Sequence, residues 1–167
     1  MFGFFKKKKV TEEKDNKLKL VSAVSGKSIP LSEVPDEVFA QKMAGDGIAI
    51  DSTGDTVVAP ADGELTLVFK TKHAFALTLD NGVELLVHIG IETVGLNGEG
   101  FEQLVEQGTK VKAGTPIIKF DREFIKNKGL SLITPILITN PDSTTSITPI
   151  ENIETIAGET AIIDYTI

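Results

Sequence analysis

The sequence predicts an all-β fold, an antiparallel β-sandwich or a partly open barrel with a few short helical turns. Three observations indicate this class: the apolar runs are short, turn-forming residues separate them at close spacing, and helical periodicity is scarce. The 167 residues are enough for one domain with a sizeable core. We therefore expect a single β-rich domain over residues 20–167, preceded by a basic and apolar tail over residues 1–19.

The strands are expected where β-prone runs end at Gly, Pro, Asn or Asp. In chain order they lie within 18–24, 45–50, 56–69, 67–94, 108–120, 132–139 and 162–167. Short helical turns are expected after Ser32 or Asp36, either of which is a good N-cap, at Glu102–Val105 and at Asp121–Lys128. The helical content is small, as the fold class requires.

The stretch Leu67–Val94 contains both histidines of the chain, His73 and His88. Two apolar runs flank Asn81-Gly82, a dipeptide favoured in two-residue type I′ hairpin loops because both positions need positive φ. A two-residue loop would pair Phe75 with His88 and place His73 diagonally beside His88 on one face. A three-residue loop would place His73 on the opposite face, because a shift of one residue flips every side chain. The pairing of the histidines therefore depends on the loop length.

With the shorter loop, one face of the hairpin carries both imidazoles among a hydroxyl and apolar side chains. Its members are Thr71, His73, Phe75, Leu77, Leu86 and His88. The opposite face of the second strand is an unbroken apolar row that should face the core: Val83, Leu85, Val87, Ile89 and Ile91. A single strand histidine is more often structural, but two on one face beside a threonine indicate a functional site.

Histidine is the candidate for chemistry because neutral imidazole is nucleophilic and titrates near neutral pH. The chain has no Cys, no G-x-S-x-G elbow, no Walker-type phosphate loop and no H-E-x-x-H. Two histidines without a fixed carboxylate are also one ligand short of a usual zinc site. Phosphoryl transfer fits the remaining pattern: one ring would accept the group, and the other would donate N–H to its oxygens. Thr71 is placed to fix the tautomer of His73.

Composition restricts the partners and the compartment. A net charge of −7 argues against nucleic acid and suits a basic protein partner. The absence of Cys leaves the redox compartment open, so a cytoplasmic protein is the default expectation. No apolar run reaches the roughly 20 residues of a membrane-spanning helix. Residues 1–9, with Phe2, Phe4 and Phe5 before Lys6–Lys9, are either a weak peripheral membrane contact or a solvated leader.

The segment G-V-E-L-L-V-H-I-G-I-E-T-V, residues 82–94, resembles the signature of glucose-type enzyme IIA components of the bacterial phosphoenolpyruvate-dependent sugar phosphotransferase system. The block K-T-K-H-A-F, residues 70–75, resembles the sequence around the second histidine of that family. Further blocks resemble it in the same order, at 34–36, 39–40, 45–50 and 59–63, so the resemblance spans about residues 18–165. It implies a barrel-sandwich hybrid of the duplicated hybrid motif type, with a shallow apolar depression around the histidines.

The resemblance also implies a phosphotransferase with a phosphohistidine intermediate and no required cofactor. His88 would take the phosphoryl group from the phosphohistidine of the phosphocarrier protein and pass it to a cysteine of the sugar permease IIB domain. His73 would support the transfer without being phosphorylated, with Thr71 bonded to it. Asp36 and Glu92 would face arginine on the phosphocarrier, and Glu92 stands where relatives often have Asp.

An apolar ring around the histidines would suit transient docking of proteins. Its candidates are Phe39, Met43, Phe69, Phe75 and Leu86, and core packing is the alternative for the first four. Two other functions stay open: a regulatory module that binds transporters or kinases through the same face, and a zinc hydrolase of lysostaphin-like architecture, which needs a third protein ligand. Zinc held between His73 and His88 is also compatible with the resemblance. Neither the sugar nor the oligomeric state follows from the sequence.

Overall fold

The computed structural model describes residues 18–167, which form an antiparallel β-sandwich with few short helices. This confirms the predicted fold class. The tail predicted over residues 1–19, with its membrane contact, lies outside the described residues except at Leu18 and Lys19, which already belong to the first strand. No helix within residues 18–167 is long and apolar enough to cross a membrane.

The strands of the described chain are short, and the helices are shorter than three turns. The strands are β1 (Leu18–Val21), β2 (Gly26–Ile29), β3 (Asp46–Ser52), β4 (Thr56–Val58), β5 (Gly63–Val68), β6 (Ala74–Thr78), β7 (Glu84–His88), β8 (Phe101–Gln103), β9 (Lys110–Val111), β10 (Pro116–Phe120), β11 (Ile133–Ile138), β12 (Ser146–Pro149), β13 (Glu154–Thr155) and β14 (Ala161–Thr166). The helices are α1 (Glu37–Ala40) and α2 (Arg122–Asn127), with 3-10 turns at Leu31–Glu33, Thr93–Leu96 and Pro141–Ser143.

The strands form one large sheet and two small ones. The large sheet has the order β13-β2-β3-β11-β7-β6-β5-β9, and the small sheets have the orders β1-β14-β12 and β4-β10-β8. Successive side chains of a strand point to opposite faces, and the large sheet obeys this rule. In β3, Ile48 and Ile50 enter the main core, whereas Ala49 joins a smaller apolar cluster with Phe39 and Leu137. The main core therefore lies on one face of the large sheet, and the smaller cluster lies on the other.

The hairpin of β6 and β7 has a three-residue loop, Asp80–Gly82, so the predicted two-residue loop is wrong. Only Gly82 of this loop has a positive φ, +88°, whereas a type I′ turn needs two such residues. Asn81 instead uses its side chain: Oδ1 accepts from the Val83 N–H at 3.1 Å, and Nδ2 donates to the Tyr165 hydroxyl at 3.0 Å. The bond to Tyr165, which lies on β14, ties the loop to another sheet and favours the longer turn.

The longer loop changes the pairing of the hairpin. His88 faces Ala74, and Phe75 faces Val87. Phe75 and Leu77 therefore point into the main core instead of sharing the face of His88. Leu86 and His88 keep the outer face that was predicted for them, but the side chains opposite them are alanines, Ala76 and Ala74.

Two of the three predicted helical turns are present. The Asp36 carboxylate caps α1 by accepting from the Val38 N–H at 2.8 Å, and Asp121 caps α2 by accepting from the Phe124 N–H at 3.1 Å. The turn predicted at Glu102–Val105 is wrong. Its first residues belong to β8, because pairing with β10 satisfies their backbone in place of a local helix.

Candidate functional site

His88 is the last residue of β7 and is half-buried on the outer face of the large sheet. Its Nδ1 lies 2.7 Å from the carbonyl oxygen of Gly90. A carbonyl oxygen can only accept, so the neutral ring carries its hydrogen on Nδ1 and leaves Nε2 unprotonated. Gly90 has φ +75°, and a Cβ added there would come within 2.7 Å of both the Ser131 carbonyl oxygen and Thr93 Cγ2. Only glycine fits this position without a shift of the backbone.

His73 lies immediately before β6 and is 3% exposed. Its ring centroid is 4.9 Å from that of His88, with the two planes at 82°, and 5.4 Å from the ring of Phe69. The three-residue loop was expected to separate the two histidines, and it does not. Strand alternation governs residues inside a strand, whereas His73 precedes β6 and follows Lys72, whose φ of +56° turns the chain. The rings therefore meet at the end of the hairpin.

Thr71 contacts the histidine pair from the side of His73. Its Oγ1 lies 2.7 Å from His73 Nδ1, as the sequence predicts. The backbone also fixes His73, whose carbonyl oxygen accepts from the Ile89 N–H at 2.6 Å. Because Ile89 directly follows His88, this bond ties the two histidine-bearing segments together.

Both imidazoles are neutral near neutral pH. Burial first, and the charge of nearby His88 second, together lower the pKa of His73 from 6.5 to about 4. Burial also lowers the pKa of His88, but the hydrogen bond to the Gly90 carbonyl and the charge of Asp36 oppose that shift. The site thus provides two uncharged rings, one of them with a free Nε2.

The segment before β3 supplies the wall beside His88. Helix α1 places Phe39 against His88, with ring centroids 4.9 Å apart and planes at 57°. Phe39 is only 8% exposed and packs with Leu31 and Val34 in the smaller apolar cluster. Asp36, which caps this helix, is the acidic group whose charge acts on His88. One short helix therefore brings an apolar and an acidic side chain to the same imidazole.

The other predicted partner-binding residues differ in exposure. Met43 is 71% exposed, Glu92 is exposed with φ +61°, and Phe69 and Leu86 are half-buried. Phe75 is fully buried and takes the core-packing alternative, because the register of the hairpin turns it inward. A shallow groove of about 340 Å³ adjoins the site, with Leu67, Phe69, Ala76 and Leu86 among its lining residues.

Two contributors to the site were not assigned from the sequence: Gly90, whose carbonyl holds His88, and Thr93, which is fully buried and donates to the Ile89 carbonyl at 2.6 Å. Both lie inside the recognised motif at 82–94. A glycine directly after a strand is a signal for positive φ, but no sequence pattern shows which carbonyl an imidazole will select.

The metal-binding capacity of this part of the chain is limited. Residues 18–167 contain no group of three or more His, Cys, Asp or Glu side chains placed to hold a metal ion. Two imidazoles alone do not complete the four-coordinate set of a structural zinc site or the three protein ligands of a catalytic one. A zinc hydrolase is therefore not supported by the described residues.

A β-sandwich with two neutral, edge-packed imidazoles, one buried and one half-buried at the outer face, is the arrangement expected of a protein that transfers groups through histidine. Residues 18–144 match the model of the family described as phosphoenolpyruvate-dependent sugar phosphotransferase system, EIIA 1, and the chain belongs to that family. It is a phosphotransferase component with a phosphoryl-relay role in sugar uptake.

Individual proteins that are similar to this chain carry names of the same family. The glucose-specific EIIA component of Staphylococcus epidermidis (strain ATCC 35984) is 48% identical over 157 residues, which cover 93% of this chain and 94% of the relative. The mannose-specific EIIBCA component of Corynebacterium glutamicum is 58% identical over 121 residues, 72% of this chain but 18% of that longer protein. Among solved structures, glucose permease IIA from Mycoplasma capricolum matches with a TM-score of 0.83 and 37% identity, covering 89% of this chain and 95% of that one.

Proposed function

We propose that His88 Nε2 is the phosphoryl acceptor of this chain and that His73 supports the transfer without being phosphorylated. The observation that carries the proposal is the Nδ1–H bond of His88 to Gly90, which leaves Nε2 as the free nucleophile. The neighbouring His73 ring packs at 4.9 Å and is neutral, so it offers one N–H donor and one unprotonated nitrogen beside His88.

In the first step the lone pair of His88 Nε2 attacks the phosphorus of the phosphocarrier's phosphohistidine. The new P–N bond forms as the old one breaks, and the electron pair returns to the phosphocarrier's ring. In the second step a cysteine thiolate of a permease IIB domain attacks the same phosphorus, and the bond to Nε2 breaks. Each in-line transfer needs an incoming protein above His88, and the half-buried position of this ring at the outer face permits that approach.

His73 would bind the transferring group through an N–H. If Thr71 donates its hydroxyl hydrogen to Nδ1, the neutral ring must carry its own hydrogen on Nε2. That N–H can then donate to an oxygen of the phosphoryl group on the adjacent ring, where negative charge makes the hydrogen bond strong. Burial of His73 strengthens this interaction further, because water does not compete with it.

The docking surface for both proteins would be the exposed apolar and acidic side chains around His88. Met43 is 71% exposed, and Val38 and Val94, which were not predicted, are 47% and 53% exposed. Asp36 and Glu92 add negative charge beside them and would meet basic side chains of the phosphocarrier. An apolar centre with charges beside it suits partners that bind transiently.

Further roles extend the same proposal. The chain would act in the cytoplasm, where the phosphocarrier and the IIB domain meet it, and transporters or kinases could bind the same exposed apolar face. Zinc would have to use the two Nε2 atoms, because each Nδ1 is already engaged by Thr71 or Gly90. It would then need His73 to give up the hydrogen on Nε2, and it would need further ligands from a partner to complete its coordination. A bound zinc would block both nitrogens and thereby oppose phosphoryl transfer.

The proposal is tested by intact-mass measurement with the phosphocarrier, enzyme I and phosphoenolpyruvate. We expect the wild-type chain to gain one acid-labile phosphoryl group, and His88→Ala to gain none, because no other nucleophile would replace Nε2. His73→Ala is the matched control, since it also removes one imidazole from the site. A phosphoryl group on His88→Ala, or none on the wild-type chain, would overturn the assignment.

A further inference from the structure

We propose that Thr93 is the positioning residue that sets the tautomer of His88. The inference rests on the proposed role of His88 and concerns how the chain keeps Nε2 of that ring unprotonated. Thr93 touches neither the reacting atoms nor solvent, since it is 0% exposed. Its effect must therefore pass through the backbone between Ile89 and Ile91.

The Thr93 side chain holds this backbone at two points. Its Oγ1 donates to the Ile89 carbonyl at 2.6 Å, which satisfies a buried acceptor. Its methyl group packs under Gly90, where an added Cβ would lie 2.7 Å from Thr93 Cγ2. The Thr93 side chain thus holds the Ile89–Gly90 peptide through two contacts, a hydrogen bond to the Ile89 carbonyl and methyl packing against Gly90.

The same short segment is held at both ends. The Ile89 N–H donates to the His73 carbonyl at 2.6 Å, and the Ile91 N–H donates to the Ser131 carbonyl at 3.0 Å. The bond to Ser131 holds the Gly90–Ile91 peptide only at its nitrogen, and the Thr93 hydroxyl holds the neighbouring Ile89–Gly90 peptide at its oxygen. Loss of the Thr93 bond would free the Ile89–Gly90 plane and let the adjoining Gly90 carbonyl shift. Since this carbonyl accepts from His88 Nδ1 at 2.7 Å, its direction determines which ring nitrogen keeps the hydrogen.

Thr93→Val replaces the hydroxyl by a methyl group of similar size and leaves the Ile89 carbonyl without its donor. We expect a larger fraction of His88 with its hydrogen on Nε2, seen in the imidazole nitrogen NMR shifts of the unphosphorylated protein. We also expect the maximal rate of phosphorylation by the phosphocarrier to fall roughly tenfold, equivalent to about 1.4 kcal/mol, with KM unchanged. KM should hold because a buried Thr93 cannot contact the partner.

Two variants serve as controls. Thr93→Ser loses the methyl contact under Gly90 but keeps the hydroxyl, to which we assign the effect, so it should keep the wild-type tautomer and most of the rate. Thr155→Val also removes a buried hydroxyl, which donates to the Gly26 carbonyl at 2.8 Å on the far edge of the large sheet, and should leave His88 unchanged.

A folded Thr93→Val protein with the wild-type tautomer and rate would overturn the inference, and so would an equal loss in Thr155→Val. If Thr93→Val does not fold, a folded Thr93→Ser protein that loses the wild-type tautomer overturns it as well. Because the ring shifts are read without phosphate, this failure is distinct from that of the proposed function, which would show as a wild-type chain that gains no phosphoryl group.

Discussion

The two histidines of this site lie 4.9 Å apart, yet their environments differ in almost every respect. His73 is 3% exposed, is bonded through a threonine hydroxyl and has a pKa lowered to about 4. His88 is half-buried, is bonded to the Gly90 carbonyl, and feels an acidic side chain that partly restores its pKa. The deeper ring is suited to hold a fixed proton, and the outer ring is suited to react with a visiting protein.

This difference teaches how two identical side chains can take separate roles on one sheet. The division comes from the backbone around each ring. His73 lies just before β6, where the chain turns at Lys72. His88 is the last residue of β7, and its ring donates a hydrogen bond to the Gly90 carbonyl. Because both residues are histidine, the role of each ring follows from its environment and not from its residue type.

The largest effect expected from breaking this asymmetry is that of His73→Gln. The variant should still accept a phosphoryl group, because His88 Nε2 and its bond to Gly90 remain. Onward transfer to the IIB cysteine should fall by about 100- to 1000-fold, the usual loss of one donor to a transition-state oxygen, because the Gln amide lacks the Thr71 bond that fixes the imidazole donor in place. Single-turnover transfer from the phosphorylated variant to a IIB domain measures this step alone.

Thr71→Val is the companion variant, since it keeps the imidazole but removes the hydroxyl on its Nδ1. Its onward transfer should lie between those of the wild type and His73→Gln. Normal onward transfer by His73→Gln would contradict the division of roles, whatever the result for Thr71→Val.

The fold class could be predicted from the sequence, because turn-forming residues at close spacing and short apolar runs are typical of a β-sandwich. The hairpin register was not. Asn81-Gly82 carries the signal of a two-residue loop, and the loop that forms has three residues because the Asn81 side chain bonds to Val83 and to Tyr165. Tyr165 is far away in sequence, so no local pattern could reveal the competition. As a consequence Phe75 was placed on the docking face, whereas it belongs to the core.

The pairing of the histidines was predicted from a register that does not occur, and it holds for a different reason. The turn at Lys72 brings His73 to the end of the hairpin, where strand alternation no longer applies. Family resemblance reached the same residues without geometry. The contributions of Gly90 and Thr93 are visible only in the folded structure, because they act through carbonyl directions that residue types do not encode.

A second prediction concerns the stability of the fold as pH falls. A histidine that is buried in its neutral form has a lower pKa in the folded state, so the unfolded chain binds more protons below the unfolded pKa. For His73 the stabilisation is complete above about pH 6.5 and is lost as pH falls through about 4. At 1.36 kcal/mol per pKa unit, the loss is about 3 kcal/mol.

Denaturant unfolding of the wild type and His73→Gln across this range isolates the effect, because other acid-titrating groups are common to both chains. The free energy of unfolding of the variant should decline less between pH 6.5 and 4 than that of the wild type. Parallel curves would show that His73 does not bear the lowered pKa.

The smallest expected effect sharpens the comparison at the outer ring. Asp36 both caps α1 and raises the pKa of His88 through its charge. Asp36→Asn keeps a side-chain acceptor for the Val38 N–H, since Asn is an equally good N-cap, but removes the charge. NMR titration of the two rings should show a lower pKa for His88, with a smaller change for the more deeply buried His73.

Glu37→Gln is the matched control, because it removes one acidic charge from the next residue without touching the cap. If Glu37→Gln shifted His88 as much as Asp36→Asn did, the effect would be one of net charge, and the asymmetry of the two rings would owe nothing to the position of Asp36.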